Sequence, residues 1–500
     1  MSITRLVVQF AGAGFLALVA VVLAYSQEGN TAQACGEAGP FEFDTYELPQ
    51  RSEYARAIEL ATAGKAVTFA YSLAAGDYID LRYQGLERGP RGARVETLDT
   101  SLAIPPTIYK SIAWIEANWA NASNSVPWGG VGPVLRSFDC GYGIGQITSG
   151  MSNDTGTASG RQAIIGTHFV FNIAEGVRIL AQKWNDAPSL RPVAGNGDPA
   201  MLEDWYFAIW AYNGFAWKNH PLNPSLDPLR GGGTAPIYHC WDPSAPSYQV
   251  DSQGNIKWGY GDYTYQERVY GCMRYPPIAD GARLWNAQTF RMPDFTIGEI
   301  ARAFTVENWT ACAGGSFNCA GMDFPTTIQR FGFTPHPDTT PPRDPAEAAL
   351  ILGNPVFSFS GPTSLTLTGY TDGTSTKGTV TIRNTGTFVG PYRIRTSAPW
   401  IVVRHPTDPA SRNMDGGVVV GQDVSVVLPG GGRQQGYNSV LEISLAPRLM
   451  PAGISTGTVW IEPLLGSGSN FKIDIVAANG ATNLPNKRIL PELSSDGPVD

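Results

Sequence analysis

One glutamate, one glycine-spaced turn and one tyrosine–asparagine pair are the residues of this chain best suited to chemistry. Glu116 stands in the run Ile115-Glu116-Ala117-Asn118-Trp119, at the border of an apolar stripe, and positions 113 and 120 are alanine, so it has no basic partner on its own helix. A carboxylic acid set against apolar neighbours keeps its proton toward neutral pH, because burial penalises the charged form. That is the state needed to protonate a glycosidic oxygen. Gly141-Tyr142-Gly143-Ile144-Gly145-Gln146-Ile147-Thr148 has glycine at every second position. Such spacing removes side chains where a polysaccharide would approach backbone, and Gln146 offers a donor and an acceptor to a sugar amide or hydroxyl. Ala211-Tyr212-Asn213-Gly214 closes an aromatic run. A buried phenol needs a partner, so the Tyr212 hydroxyl is expected to point at Glu116. Asp139, just before Cys140, is either a second carboxylate for catalysis or a turn cap.

Helices must position these groups. Pro105-Pro106 opens one, with Ile108, Ile112, Ile115 and Trp119 forming its buried stripe. Asn172 is the expected N-cap of a second, carrying Ile173, Val177, Leu180 and Trp184. Asp198-Pro199 is expected to start a third that runs through Trp205 to Tyr212. Tyr54, Ile58, Leu60 and Ala61 mark an earlier helical stretch, and helical patterning resumes over 278–288 and 296–304. Residues 219–277, dense in Pro, Gly, Tyr and Trp, read as a long ordered excursion over the helical core. A proline-rich linker follows, and then the period changes to two. Seven alternating runs, at 364–368, 379–383, 392–395, 424–426, 442–445, 458–461 and 471–475, predict an antiparallel sandwich.

The three motifs, in this order, resemble those of soluble lytic transglycosylases and goose-type lysozymes. The resemblance covers roughly residues 98–223, with weaker similarity to about 304. It implies a mainly α, lysozyme-like domain in which Glu116 is the catalytic acid and base and Tyr212 lies against it. Gln146, Gly145, Ile147, Asn213 and Tyr142 would line the sugar cleft. The expected reaction is cleavage of the β-1,4 bond between N-acetylmuramic acid and N-acetylglucosamine in peptidoglycan glycan strands, giving 1,6-anhydro ends, with no metal or other cofactor. Two departures stand out: Ala117 follows the acid where serine is common, and the usual A-Y-N-A-G reads Ala211-Tyr212-Asn213-Gly214-Phe215. In goose-type lysozymes carboxylates near Asp139 position a water, so hydrolysis of the same bond, or of a chitin-like polymer, stays open. A non-catalytic wall-binding protein is the reading from another class. The run Ala398-Pro399-Trp400-Ile401-Val402-Val403 and the turn Asn384-Thr385-Gly386-Thr387 resemble the immunoglobulin-like sandwiches called BACON domains, which implies an all-β, Ig-like second domain serving as spacer or wall-binding module.

The chain is then multidomain, as its 500 residues also suggest at about 150 residues per domain. Residues 1–34 are a signal peptide or N-terminal membrane anchor, 35–97 a partly helical extension, 98–333 the lysozyme-like domain, 334–355 the linker, 356–478 the sandwich and 479–500 a disordered tail. Arg5 precedes a run, Leu6 to Ala24, that is mostly apolar and long enough for either export with cleavage or a membrane tether. A secreted or cell-envelope location follows. All six cysteines lie beyond that run, where disulfides persist; Cys240–Cys272 and Cys312–Cys319 are the expected pairs. A net charge of −8 argues against nucleic acid as a partner. Five isolated histidines show no metal-ligand spacing. Protein partners are not indicated.

Overall fold

The computed structural model describes residues 43–68, 70–72, 78–90, 93–152, 158–186, 194–220, 223, 238–240, 253, 260–279, 281–290, 337–338, 354–387, 389–404, 423–428 and 440–480. The expected signal peptide or anchor at 1–34, Cys35, Cys312, Cys319, the stretch 296–304, most of the expected linker and residues 481–500 lie outside them.

In chain order the first part holds β1 (Asp44–Tyr46), α1 (Ser52–Thr62), β2 (Tyr71–Ser72), β3 (Tyr78–Ile79), β4 (Leu86–Arg88), β5 (Val95–Asp99), α2 (Pro106–Ala117) and β6 (Val131–Pro133). It continues with α3 (Gly160–Thr167), α4 (Phe169–Asn185), α5 (Tyr206–Tyr212), α6 (Tyr265–Arg274), β7 (Ile278–Ala279) and β8 (Ala282–Arg283). The strands pair in twos, β1 with β6, β2 with β3, β4 with β5 and β7 with β8, all antiparallel.

This corrects the expected mainly α, lysozyme-like domain. Among the described residues there are six short helices, the longest of 17 residues, and the extensive regular structure is β-sheet in the C-terminal region. The physical reason is local: glycine, proline and asparagine punctuate the intervals between apolar runs and stop each helix early. At the end of α2, Asn118 and Trp119 both take left-handed backbone, with φ of 50° and 57°. The expected third helix fares similarly. Asp198-Pro199 forms a turn whose Asp198 N–H donates to Asp204, a 3-10 turn spans Leu202–Trp205, and only Tyr206–Tyr212 is α-helical. Asn172 is no cap, since α3 and α4 meet at His168 and Asn172 lies buried inside α4. Ile278–Ala279 and Ala282–Arg283 form the β7–β8 pair rather than helix.

The C-terminal part holds β9 (Phe357–Ser360), β10 (Ser364–Tyr370), β11 (Gly378–Asn384), β12 (Gly390–Thr396), β13 (Ile401–Arg404), β14 (Asp423–Val427), β15 (Val440–Leu445), β16 (Ile454–Pro463) and β17 (Phe471–Gly480). Five form a sheet in the order β10-β17-β16-β12-β14 and four a sheet in the order β13-β15-β11-β9. One neighbouring pair, β10 with β17, is parallel, a departure from the all-antiparallel expectation. Alternate residues such as Val380, Ile382, Leu441, Ile443, Val459, Ile461 and Ile473 face a shared core between the sheets, and Trp400 is buried with them.

The two parts share buried surface. Val424, Leu464 and Leu465 belong to the same apolar cluster as Phe43, Tyr54 and Ile108. Phe43 bridges to Val424, Val131 packs with Val389 and Val426, and Arg393 Nη2 donates to Ala158 O at 3.0 Å. Asp338 is also tied down, its N–H donating to Ala200 O.

Candidate functional site

Glu116 occupies the last turn of α2, whose Pro106 sits at the first helical position and whose Ile108 and Ile112 are buried. The chain reverses directly after it: Asn118 N–H closes on Trp114 O, and the buried Trp119 turns back to donate its indole N–H to Lys110 O at 2.8 Å. Lys110 is itself buried, paired with Glu59 of α1 at 2.5 Å, so the rod that carries Glu116 is fixed on two sides. The Glu116 side chain is half-buried. Its Oε1 accepts a hydrogen bond from the Tyr265 hydroxyl at 2.6 Å. Burial pushes the carboxyl up to about 7; the Tyr265 bond, Arg268 and Lys218 pull it down, while Asp139 pushes it up. Oε2 takes no hydrogen bond among the described residues, which leaves it to carry the proton.

Tyr265 was not read from the sequence. It opens α6, inside the stretch 219–277 that the sequence reads as a long ordered excursion. A local signal was present: Thr264-Tyr265-Gln266-Glu267 is a capping box, with Glu267 N–H donating to Thr264 Oγ1 and Thr264 N–H to Glu267 Oε2. Asn213, in contrast, was singled out, and it bears on the acid at one remove. Its Oδ1 accepts from Asn219 Nδ2 at 2.9 Å, and Asn219 Oδ1 accepts from the Tyr265 N–H at 3.0 Å. Cys240–Cys272 is a disulfide that ties α6 to the segment around Tyr238; Cys140 is also disulfide-bonded.

The Tyr212 hydroxyl does not bond Glu116. It donates to Gly145 O at 3.1 Å and so holds the glycine-spaced turn. That turn is built from inside. Asn172 on α4 receives the Gly145 N–H at 2.8 Å and donates to Tyr142 O and Ile165 O. Asn121 Oδ1 receives the Ile144 N–H at 3.1 Å. Tyr142, Ile144 and Ile147 are fully buried, and so are the three glycines. The glycines therefore make room for protein rather than for a polymer: a Cβ on Gly143 would lie 2.6 Å from Asn172 Nδ2, at a φ of +67°. Gln146 is half-buried and donates from Nε2 to Gly143 O at 2.8 Å. Of the residues expected to line a cleft, Gly145, Ile147 and Tyr142 thus act as support, while Gln146 and Asn213 are partly open to solvent.

Asp139 is exposed, within electrostatic reach of Glu116, and its Oδ1 accepts from Ser137 Oγ at 2.5 Å. Ser137 Oγ in turn accepts the Gly141 N–H at 2.8 Å, so the aspartate is anchored to the turn. Beside it Phe138 is 71% exposed. Tyr260, 52% exposed, lies under the Arg268 guanidinium, 4.0 Å from its ring centroid. Acid, acceptor carboxylate, cations and open aromatic rings are thus gathered around the end of α2. Such a set suits a carbohydrate, whose ring faces stack on aromatics while its hydroxyls bond charged groups.

No family model and no curated protein matches the chain. Among solved structures it is similar to a protein of unknown function from Porphyromonas gingivalis W83, at 20% identity over 25% of this chain and 46% of that one, with a TM-score of 0.17. A family 123 glycoside hydrolase from Clostridium perfringens matches at 8% identity over 26% of this chain and 28% of that one, TM-score 0.17. The periplasmic chaperone SfaE matches at 12% identity over 26% and 60%, TM-score 0.15. The chain spans less than half the length of the first two, and likenesses this slight carry no weight for the site. Among the described residues no group of three or more His, Cys, Asp or Glu is placed to hold a metal, and no single helix is long and apolar enough to cross a membrane.

Proposed function

We propose that the protein is an exported enzyme that cuts peptidoglycan glycan strands with Glu116 as acid and then base. The observation that carries this reading is the state of that carboxyl, raised to about 7 by burial and only partly reached by solvent, with Tyr265 on one oxygen and the other unbonded. An acid of this strength is about half protonated at neutrality and mostly so below it, and it gives its proton to the glycosidic oxygen as the bond breaks. One such acid, with no second carboxylate bonded beside it, favours a substrate-assisted route. The acetamido group of the muramoyl residue supports the developing positive charge, and Glu116, now ionised, takes the proton of that residue's 6-hydroxyl. The product is a 1,6-anhydro end, formed without water.

Asp139 favours a second outcome on the same bond. Exposed, held by Ser137 and felt by Glu116, it would orient a water, giving hydrolysis and a reducing end. The test is digestion of purified peptidoglycan by wild type and by Glu116→Gln. Wild type is expected to release anhydro ends, lighter by one water than reducing ends. The glutamine variant is expected to release neither while folding normally, since Tyr265 can still donate to its amide oxygen. Continued wall lysis by Glu116→Gln would falsify the assignment.

A further inference from the structure

Trp128 lies outside all three motifs on which the resemblance rests, in the interval between Glu116 and the glycine-spaced turn. Its ring is 38% exposed, whereas the other tryptophans whose side chains are described are buried or half-buried. An apolar surface of that size left in water is costly, and the turn that carries it is held too firmly to fold it away. Gly129 N–H donates to Glu47 O at 3.0 Å and Glu47 N–H to Gly130 O at 2.9 Å, while Gly129 takes left-handed backbone at a φ of +81°. The Arg51 guanidinium backs the ring, 4.4 Å from its centroid. Arg51 is in turn fixed to the helix that carries the acid: its Nε donates at 3.2 Å to the carbonyl oxygen of Asn118, two residues beyond Glu116. Among the described residues the two Nη groups of Arg51 and the Nε1 of Trp128 enter no hydrogen bond, which leaves these donors to a ligand. Glu47, whose charge Arg51 feels, does not answer them, since it is buried and its oxygens already accept from Tyr54, Asn121 and Ala122.

We propose that Trp128, backed by Arg51, is an outer sugar-stacking subsite, so that glycan strands long enough to reach from Glu116 to the indole are held and cut in preference to short ones. This rests on the reading of Glu116 as a glycan-cutting acid and adds strand length as the property that the site selects. The apolar face of a pyranose ring packs on an indole, while its hydroxyls and amide bond the N–H groups at the border of the ring. Tyr265 and Tyr260 approach the acid from the side of α6, and Trp128 joins the same helix end through Arg51, at the start of α1. A strand crossing the end of α2 thus meets aromatic rings brought by both neighbours of that helix. A firmly held ring suits the task, because it has little freedom left to lose when a sugar lies on it.

The test uses the full chain in the Glu116→Gln background, where ligands bind without being cut. The probes are peptide-free glycan fragments of peptidoglycan, a disaccharide, a tetrasaccharide and an octasaccharide. Affinity is expected to rise with length. Adding Trp128→Ala is expected to weaken the octasaccharide by about fivefold or more while the disaccharide changes by less than about twofold. Adding Trp128→Phe, which keeps an aromatic face, is expected to restore most of the loss. With Glu116 intact, Trp128→Ala should lower kcat/KM on long strands and leave the tetrasaccharide unchanged. Equal weakening at every length, or no change at the longest, overturns the subsite and leaves the role of Glu116 standing. Should the alanine variant fail to fold, Trp128→Leu, which keeps bulk without a ring, decides by the same comparison. Absence of binding at every length also overturns the subsite, and the acid falls with it only if the wild-type chain leaves walls uncut.

Discussion

A carboxyl held near pH 7 makes the pH profile a direct readout of its surroundings. Glu116 has to be protonated to donate, so activity is expected on the acid side of about 7 and to fall as pH rises through that value. The Tyr265 hydroxyl bonds the charged form and pulls the value down. Tyr265→Phe is therefore expected to move the alkaline limb to higher pH while kcat drops by about tenfold or more, the worth of one hydrogen bond to a charged group. A pH–rate series on both proteins checks it; an unmoved limb would mean that the bond does not tune the acid. Stability has the matching sign. Raised above the ordinary glutamate value of 4.5, the folded carboxyl binds its proton more tightly than the unfolded chain does, so its stabilising share is lost as pH rises from about 4.5 to 7. Glu116→Gln escapes that loss and should gain stability over wild type above pH 7. Much of this was legible in the sequence, because the lack of a basic neighbour at 113 and 120 is a local fact. Tyr265 was not, since 149 residues separate it from the acid and only the folded chain brings them together.

Between elements, Tyr109 of α2 and Tyr212 of α5 meet at Gly176 of α4. Tyr109 of α2 is fully buried, and its hydroxyl occupies the space where Gly176 of α4 lacks a side chain: a Cβ there would lie 1.7 Å from Tyr109 Oη and 2.9 Å from Tyr212 Oη. Two effects compete in Gly176→Ala. Helix propensity favours alanine by about 1 kcal/mol. The overlap works the other way, and with Tyr109 enclosed on all sides it wins, for a net loss of about 1–3 kcal/mol. Activity should fall with it, because the displaced phenols press on Tyr212 and hence on Gly145 O. Adding Tyr109→Phe removes the nearer clash but leaves Cζ 2.6 Å from the new methyl, so part of the stability should return. Denaturant unfolding of the single and double variants measures both, and no recovery in the double would refute the contact. At this scale the sequence was legible where periodicity and buried faces coincide, as at Ile108 and Ile112 or along the alternating strands. It misled where a polar residue has two physical uses: Asn172 looks like a cap, but its amide is buried and holds the turn of Gly145. The capping box at Thr264 was readable and lay hidden among prolines, glycines and aromatics that signal loop.

For the molecule as a whole, length and the proline-rich stretch suggest two domains joined by a linker, because a linker is visible in sequence whereas an interface between distant segments is not. Among the described residues the sandwich and the first part share an apolar cluster, so contacts run from the sandwich toward the site. Val424 of β14 lies beside Phe43, at the start of β1. From β1 the connection runs inward: Thr45 Oγ1 accepts from Asn121 Nδ2 at 2.7 Å, and the Glu47 carboxylate accepts the N–H groups of Asn121 and Ala122 at 3.0 and 2.7 Å. Asn121 then fixes Ile144 in the turn that Tyr212 and Asn172 also grip. A removable wall-binding module would leave turnover intact when deleted; a shared core would not. Truncation after Thr334 strips Val424, Leu464 and Leu465 from the buried cluster and uncovers Phe43, so the shortened chain is expected to lose wall cleavage and its main unfolding transition together. Val424→Asp is the gentler form of the same test. It places an unpaired carboxylate where the valine is 1% exposed, at a cost of about 3 kcal/mol or more, and should lower both the calorimetric midpoint and the rate of wall cleavage. Two separate transitions, with only the sandwich shifted and cleavage unchanged, would show that the sandwich stands alone and that the path through β1 carries nothing to the acid.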